Sequence, residues 1–294
     1  MTMPSREPPS PAPHPRTVAD ALAARFPNSS RSTLKRMVLA GRVMRNGKPV
    51  KKLTEAVRGS DRIDVLDKPK PPSPIESLKP LDLIFEDPDL LIVHKPANLL
   101  TSTTPREKRA TALALVQRYL VATNPESRAG LIHRLDRDAS GLLVFSKTDL
   151  AYESLKTQFF KHTVERLYCA AVHGVPCPPK GRIESRLVEY ADGTVHSTKT
   201  PHKGQLAITE YELLRTHNKV SELRIRLETG RKHQIRVHLA GRNHPILGDK
   251  AYGRRDSAPR LMLAATDLHL DHPRTGERLE FHHPPPAELD SLFL

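Results

Sequence analysis

Apolar residues fall in short, dense runs along much of this chain. Residues 90–93, 142–145 and 167–172 are almost continuously apolar, and 222–227 alternates Leu223, Ile225 and Leu227 with Glu222, Arg224 and Arg226. Runs of four to eight such residues predict strands, the continuous ones covered on both faces. Residues 110–122 and 150–161 carry apolar positions at helical spacing and predict helices. Strands outnumber helices and do not alternate with them regularly. The pattern predicts an α+β domain around a mixed or antiparallel sheet, not a doubly wound one.

The first part of the chain has a different texture. Residues 1–15 repeat proline and serine without an apolar stretch and read as a disordered tail, resembling neither a signal peptide nor an anchor. Val18, Leu22, Ala23 and Phe26 then recur at helical spacing. Ser30-Arg31-Ser32 marks a second helix entrance, followed by Leu34, Met37, Val38 and Leu39, and Gly41 stops that helix. Val43 and Met44 begin a strand, Asn46-Gly47 is a hairpin turn, and 62–66 alternates as a strand. The predicted organisation is a tail over 1–15, a small α/β unit over 16–68, a semi-rigid linker over 69–80 too rich in proline for helix, and a large domain over 81–294.

Charge adds a partner. Of 294 residues, 47 are Lys or Arg and 33 Asp or Glu, a net +14 that favours encounter with polyanions, so nucleic acid is the first partner to consider beside a merely solvated basic surface. Cys169 and Cys177 match no zinc or redox spacing, and no stretch has the roughly 20 apolar residues of a membrane span. These features predict a reduced cytoplasmic protein with two inert thiols.

Two polar segments carry candidate chemistry. Gly130 to Gly141 places His133, Arg134, Asp136, Arg137 and Asp138 in a loop between apolar segments, with Gly141 allowing a tight backbone and Arg134 or Arg137 near enough to keep Asp136 ionised. A surface loop whose Asp136 merely pairs with an arginine explains the spacing equally well. Thr229 to Leu239 follows a strand, breaks at Gly230 and turns helical from His233 to Ala240, with Gly241 as the stop. Lys232 and Arg236 then stand one turn apart, as do Gln234 and His238, forming either an anion clamp, a cation for a buried carboxylate, or an exposed basic face. His233, His238 and His244 lack the carboxylate or thiolate partners of a zinc site, so no metal is expected. The absence of GxGxxG, GxSxG and phosphate-cradling loops suggests a cofactor-free reaction.

At these residues the sequence closely resembles the RluA family of RNA pseudouridine synthases. His133-Arg134-Leu135-Asp136-Arg137-Asp138-Ala139-Ser140-Gly141-Leu142-Leu143 is similar to that family's HRLDxxTSGLL signature, and Glu165-Arg166-Leu167-Tyr168 to its tyrosine-bearing strand. Thr229 to His238 resembles TGRxHQIRxH, and His244 to Gly253 resembles HPIxGDxxYG. Arg260 to Ala265 with His272-Pro273 resembles the closing element. Ala139 stands where the family usually has threonine and Ala264 where it usually has histidine. Residues 17–68 resemble the S4-type RNA-binding domain at Ser30-Arg31-Ser32, Gly41-Arg42-Val43 and Asn46-Gly47-Lys48.

The resemblance implies a cofactor-free isomerase that converts uridine to pseudouridine. Asp136 is then the catalytic carboxylate, attacking the anomeric carbon or removing the 2′ proton, Arg236 its partner, and Tyr168 the residue that stacks on the base and helps remove the C5 proton. Leu263 lines the uracil pocket, and Arg134, Arg231 and Gln234 bind substrate. Arg31, Lys35, Arg36, Arg42 and Lys48 grip RNA phosphates. Ribosomal RNA of the large subunit is the favoured substrate, with transfer RNA the alternative, and a monomer is expected. Two other readings stay open: a non-catalytic RNA-binding or ribosome-assembly protein, and a nucleoside or glycoside hydrolase. The second normally needs a paired carboxylate.

Overall fold

The computed structural model of the chain describes residues 17–67, 74–103, 110–200 and 202–294. The expected tail over 1–15 lies outside the described residues. The chain divides into two compact units that part between Pro71 and Pro72.

The first unit begins with α1 (Val18–Arg25), entered through a capping box in which Thr17 and Asp20 satisfy each other's backbone N–H. The Ser30 hydroxyl caps α2 (Arg31–Leu39), accepting from the Thr33 N–H at 3.3 Å. β1 (Val43–Arg45), β2 (Lys48–Pro49) and β3 (Ile63–Val65) form an antiparallel sheet in the order β2-β1-β3. Asn46 and Gly47 both have positive φ, 52° and 76°, as a two-residue hairpin turn requires. Val18, Leu22, Leu34, Met37, Val38 and Val43 make the core of the unit. Ala23 and Leu39, placed on the apolar faces by the spacing, are instead exposed, Leu39 by 71%. A helix of nine residues buries only a narrow stripe against so small a sheet.

The second unit opens with α3 (Pro74–Leu78), which corrects the expected linker: a short helix forms inside 69–80, and Leu78 is buried in the main core. Proline is tolerated there because Pro74 occupies the first helical position, where no intrahelical N–H is needed. β4 (Asp82–Glu86), β5 (Leu90–Lys95), α4 (Ala112–Thr123), β6 (Gly130–Leu131), β7 (Ser140–Ser146), α5 (Asp149–Phe160) and β8 (Glu165–His173) follow. β9 (Lys180–Glu189), β10 (Val195–Thr198), β11 (Gln205–His217), β12 (Val220–Leu227), α6 (Gln234–Gly241), β13 (Leu263–Asp271), β14 (Arg278–His282) and α7 (Ala287–Asp290) complete it.

One mixed sheet runs β10-β9-β11-β12-β8-β13-β7-β5-β4, with β14 on β13 and β6 on β7; every pairing is antiparallel except β13 with β7. Alternation explains the unbroken apolar runs. Leu91, Val93, Leu143 and Phe145 pack in the main core with Leu115, Val116 and Leu120 of α4. Leu90, Ile92, Leu142 and Val144 point the other way, onto Ala151 and Leu155 of α5. A sheet covered on both faces has no polar side to leave in the sequence. Gly141 is inside β7 rather than before it. Its φ is +124°, and a Cβ there would lie 2.2 Å from the Ala265 carbonyl oxygen, so the parallel strand β13 comes this close only because position 141 is glycine.

Candidate active site

The loop between β6 and β7 carries Asp136 and is held from both sides. Thr101 donates its hydroxyl to the Leu135 carbonyl at 2.8 Å and accepts the Leu135 N–H at 3.2 Å. Lys95, at the end of β5 and wholly buried, directs its ammonium at four carbonyl oxygens: Pro96 and Leu99 at 2.8 Å, Ala139 at 2.7 Å and Arg137 at 3.1 Å. The backbone on each side of Asp136 is thereby fixed. Burial pulls the Lys95 ammonium down to about 7, opposed by the carboxylates of Asp136 and Asp138. His133 takes the Val144 N–H on Nε2 at 3.2 Å and stacks on Phe159, and burial holds it neutral, pulled down to about 3.

Asp136 faces Arg236 of α6, with 3.6 Å between Oδ2 and Nη1. Neither arginine next to it in sequence has that place: Arg137 bonds Asp138 at 2.7 Å, and Arg134 is exposed. Arg236 itself is anchored elsewhere. Its Nε and Nη2 donate to the two oxygens of Asp249, each at 2.7 Å, in a bidentate pair whose carboxylate is 1% exposed. Burial raises the Asp249 carboxyl, but the Arg236 guanidinium and the N–H groups of Tyr252 and Ala251 outweigh it and hold it below the usual range. The guanidinium also lies over the Tyr252 ring at 5.1 Å. The Tyr252 hydroxyl bonds the Val195 N–H at 2.9 Å and His233 Nδ1 at 2.8 Å, steadying the left-handed turn (φ 53°) that precedes α6. Asn243 (φ 64°), not Gly241, makes the reversal after α6, since Gly241 is still helical.

The exposed-basic reading of α6 is corrected. Gln234, Arg236 and His238 are all buried, because α6 lies against β9, β10 and β11. His238 bonds Ser185 and Thr209. Gln234 uses its whole amide on the protein, accepting from Thr229 Oγ1 and the Arg231 N–H and donating to the Ile208 carbonyl and Thr209 Oγ1. It therefore shapes the turn, leaving no side-chain hydrogen-bonding position for substrate. His244 Nδ1 faces the His173 carbonyl, and among the described residues no group of three or more His, Cys, Asp or Glu converges as a metal site needs.

Asp136 opens into a cavity of about 510 Å³ lined also by Arg134, Tyr168, Arg231 and Leu263. Tyr168 of β8 and Leu263 of β13 reach it from adjacent strands, two registers apart. Burial raises the Tyr168 phenol, Arg166 opposes this and Asp136 adds to it, with the net shift upward. The site combines one partly exposed carboxylate (16%), an immobilised guanidinium, a tyrosine and an apolar wall. Lys95, Thr101 and Asp249 are the participants that residue types and spacing did not assign. The signal for Lys95 is a lysine closing a strand that opens with four apolar residues.

Of the residues expected to meet phosphate in the first unit, Arg31, Lys35, Arg36 and Lys48 are exposed. Arg42 is half-buried and donates Nε to the Leu66 carbonyl at 2.9 Å, which ties down the end of β3.

Comparison with known proteins agrees with this architecture. Residues 89–241 match the family model for RNA pseudouridylate synthase and residues 17–63 that of the S4 domain. Ribosomal large subunit pseudouridine synthase D of Escherichia coli (strain K12) is 33% identical, covering 92% of this chain and 88% of the relative. The proteins of the same name from Yersinia pestis and Pasteurella multocida (strain Pm70) have the same identity and coverage. Among solved structures, Human RNA Pseudouridylate Synthase Domain Containing 4 has a TM-score of 0.60 at 21% identity, covering 74% of this chain and 94% of that one, which shows the shared fold. With a family model spanning more than half its length and relatives aligned almost end to end, the chain belongs to the RluA-type RNA pseudouridine synthases, isomerases that here carry an N-terminal S4 domain.

Proposed function

We propose that this enzyme isomerises specific uridines of large-subunit ribosomal RNA, in the cytoplasm and without a cofactor, with Asp136 as the catalytic carboxylate. The names of the 33% identical relatives support the choice of RNA, and transfer RNA is the alternative. The observation that carries the assignment of Asp136 is its position in the cavity, opposite a guanidinium that Asp249 immobilises.

The reaction breaks the N1–C1′ bond, turns the uracil and joins C5 to C1′; the proton leaving C5 is matched by one gained at N1. Asp136 either attacks C1′ or removes the 2′ proton. Both routes use the carboxylate that faces the Arg236 cation. Tyr168 offers a ring face to the base and a hydroxyl near the C5 proton, and Leu263 an apolar wall. Arg134 and Arg231, exposed on the cavity, suit the phosphates of the strand. A uridine enters such a site only when turned out of its stack. In the S4 domain Arg31, Lys35, Arg36 and Lys48 supply the backbone grip, and Arg42 does so only in part.

The test maps pseudouridine in ribosomal and transfer RNA from cells with and without this protein, complemented by wild type or Asp136→Ala. One or more ribosomal positions should depend on the wild-type protein and stay unmodified with the variant. Modification that persists with Asp136→Ala would sink the catalytic assignment, and dependence only in transfer RNA would sink the choice of substrate.

A further inference from the structure

We propose that Arg166 and Phe160 form a subsite for the nucleotide adjoining the target uridine, with Arg166 on its phosphate and Phe160 stacked on its base. Both residues line the same cavity as Asp136, together with Phe159, His162, Gly230 and Arg231. Arg166 is only 8% exposed, yet among the described residues its Nε has no hydrogen-bond partner and Nη2 reaches only the Leu227 carbonyl, at 3.5 Å.

A buried guanidinium without an anion is costly, so such groups are normally paired. The nearby carboxylates are engaged elsewhere: Glu165 with Arg226 and His269, Glu228 with Arg182, and Asp136, on the same cavity, with Arg236. Stacking against the Phe159 ring at 5.3 Å offsets part of the cost but supplies no charge. The backbone accommodates this cation, since a Cβ on Gly230 would stand 2.7 Å from Arg166 Nη1. The polar groups facing Arg166 from other elements, His133 and Tyr168, are not anions at neutral pH. An anion from outside therefore completes this part of the cavity.

Phe160 is the second, independent observation. It closes α5 at 82% exposure, an aromatic ring left in water on a cavity wall. Exposed rings beside cations are how proteins hold single-stranded nucleic acid, the ring taking a base and the cation a phosphate. The subsite rests on the synthase reading and extends it from the reacting nucleotide to its neighbour.

The experiment uses a stem–loop RNA carrying the mapped target uridine, with one phosphate at a time replaced by an uncharged methylphosphonate. The full-length protein, Arg166→Met, Arg166→Lys and Phe160→Ala are titrated with it, and each variant's thermal melt is checked. Wild type should lose roughly tenfold in affinity at one linkage next to the target, as expected for one charge-assisted hydrogen bond. Arg166→Met should begin at that weaker affinity and be indifferent to the same replacement, with Arg166→Lys between the two. Phe160→Ala, altered at an exposed position that leaves the core intact, should bind intact RNA more weakly but match wild type on RNA with an abasic neighbour. Undiminished sensitivity of Arg166→Met or Arg166→Lys at every linkage overturns the phosphate interaction, and unchanged binding by Phe160→Ala overturns the stacking. Pseudouridine formation by wild type on the same RNA is scored separately, so a failure of the synthase reading is distinguishable from a failure of the subsite.

Discussion

Asp249 grips Arg236 through two 2.7 Å hydrogen bonds, leaving Nη1 to face Asp136 at 3.6 Å. The longer separation is outside hydrogen-bonding range. Asp136 thus faces a charge it does not itself hold, an arrangement that suits the proposed approach of its carboxylate to a ribose. Asp249→Asn removes the charge from the anchor while keeping its size. Breaking one side of a buried pair costs about 3–5 kcal/mol when nothing compensates. The expected outcome is a fall in kcat of tenfold or more with KM for RNA little changed, measured by single-turnover pseudouridine formation. A rise in KM alone would show that Asp249 serves binding and not the positioning of Arg236.

Lys95 makes a separate prediction. Lys95→Met fits a similar volume but removes the donor shared by four carbonyls, and the Ala139 carbonyl, bonded in the buried interior, should cost about 1–3 kcal/mol when left unsatisfied. Thermal unfolding should move down by several degrees, and activity should fall with it because the Asp136 loop loses its clamp. The pH dependence has a definite sign. The ammonium sits near 7 when folded against 10.5 when free, so between these values the unfolded chain binds more protons. This residue's contribution to stability should rise with pH from 7 to about 10.5 and vanish in Lys95→Met, as pH-dependent chemical denaturation would read.

Gly141→Ala tests the close approach of β7 and β13. The added methyl would meet three Ala265 backbone atoms within 2.7 Å, at a φ that side chains rarely adopt. Backbone cannot swing aside as a side chain can, so a loss of at least about 2 kcal/mol is expected. Equilibrium unfolding in urea would measure it, and a neutral effect would mean the two strands part easily.

What the sequence could and could not disclose follows from the range of each interaction. Strands at 90–93 and 142–145 were readable because burial on both faces leaves an unbroken apolar run. β9 and β11 were not, since Arg182, Glu184, Arg186, Glu210 and Glu212 interrupt them with charges, and partners such as Lys180, Arg224 and Arg226 for the two glutamates of β11 lie on neighbouring strands. Asp136 and Arg236 stood out through motif resemblance. Lys95 and Asp249 act through partners 42 and 13 residues away, a relation that spacing along the chain does not carry. Gln234 shows the opposite case: its place beside the site was legible, but its four internal hydrogen bonds were not.

RNA binding should weaken steeply with salt. The first unit holds eleven Lys and Arg against five Asp and Glu in residues 17–67, and Arg31 and Lys35 stand exposed one turn apart on α2. Removing a single cation–phosphate pair should make the plot of log affinity against log salt shallower by about one. Arg31→Ala with Lys35→Ala should therefore reduce the slope by about two in filter-binding titrations. Arg42→Ala should also lower thermal stability, because its Nε holds the Leu66 carbonyl. A slope unaltered by the double variant would place RNA on another face of the unit.

In the proposed mechanism Tyr168 helps remove the C5 proton. Burial and the Asp136 carboxylate raise the phenol above its ordinary value of 10, and the opposing Arg166 does not restore it. The free enzyme at neutral pH therefore presents a hydroxyl, not a phenolate. Tyr168→Phe keeps the ring and removes only the oxygen, so RNA affinity should stay within about twofold while single-turnover activity falls roughly 100-fold or more, the usual scale for a lost proton-transfer group. A neutral phenol cannot take a proton from C5, so the working base is the phenolate, and wild-type kcat should rise with pH between about 7 and 9. A flat profile across that range would overturn Tyr168 as the base of a rate-limiting step.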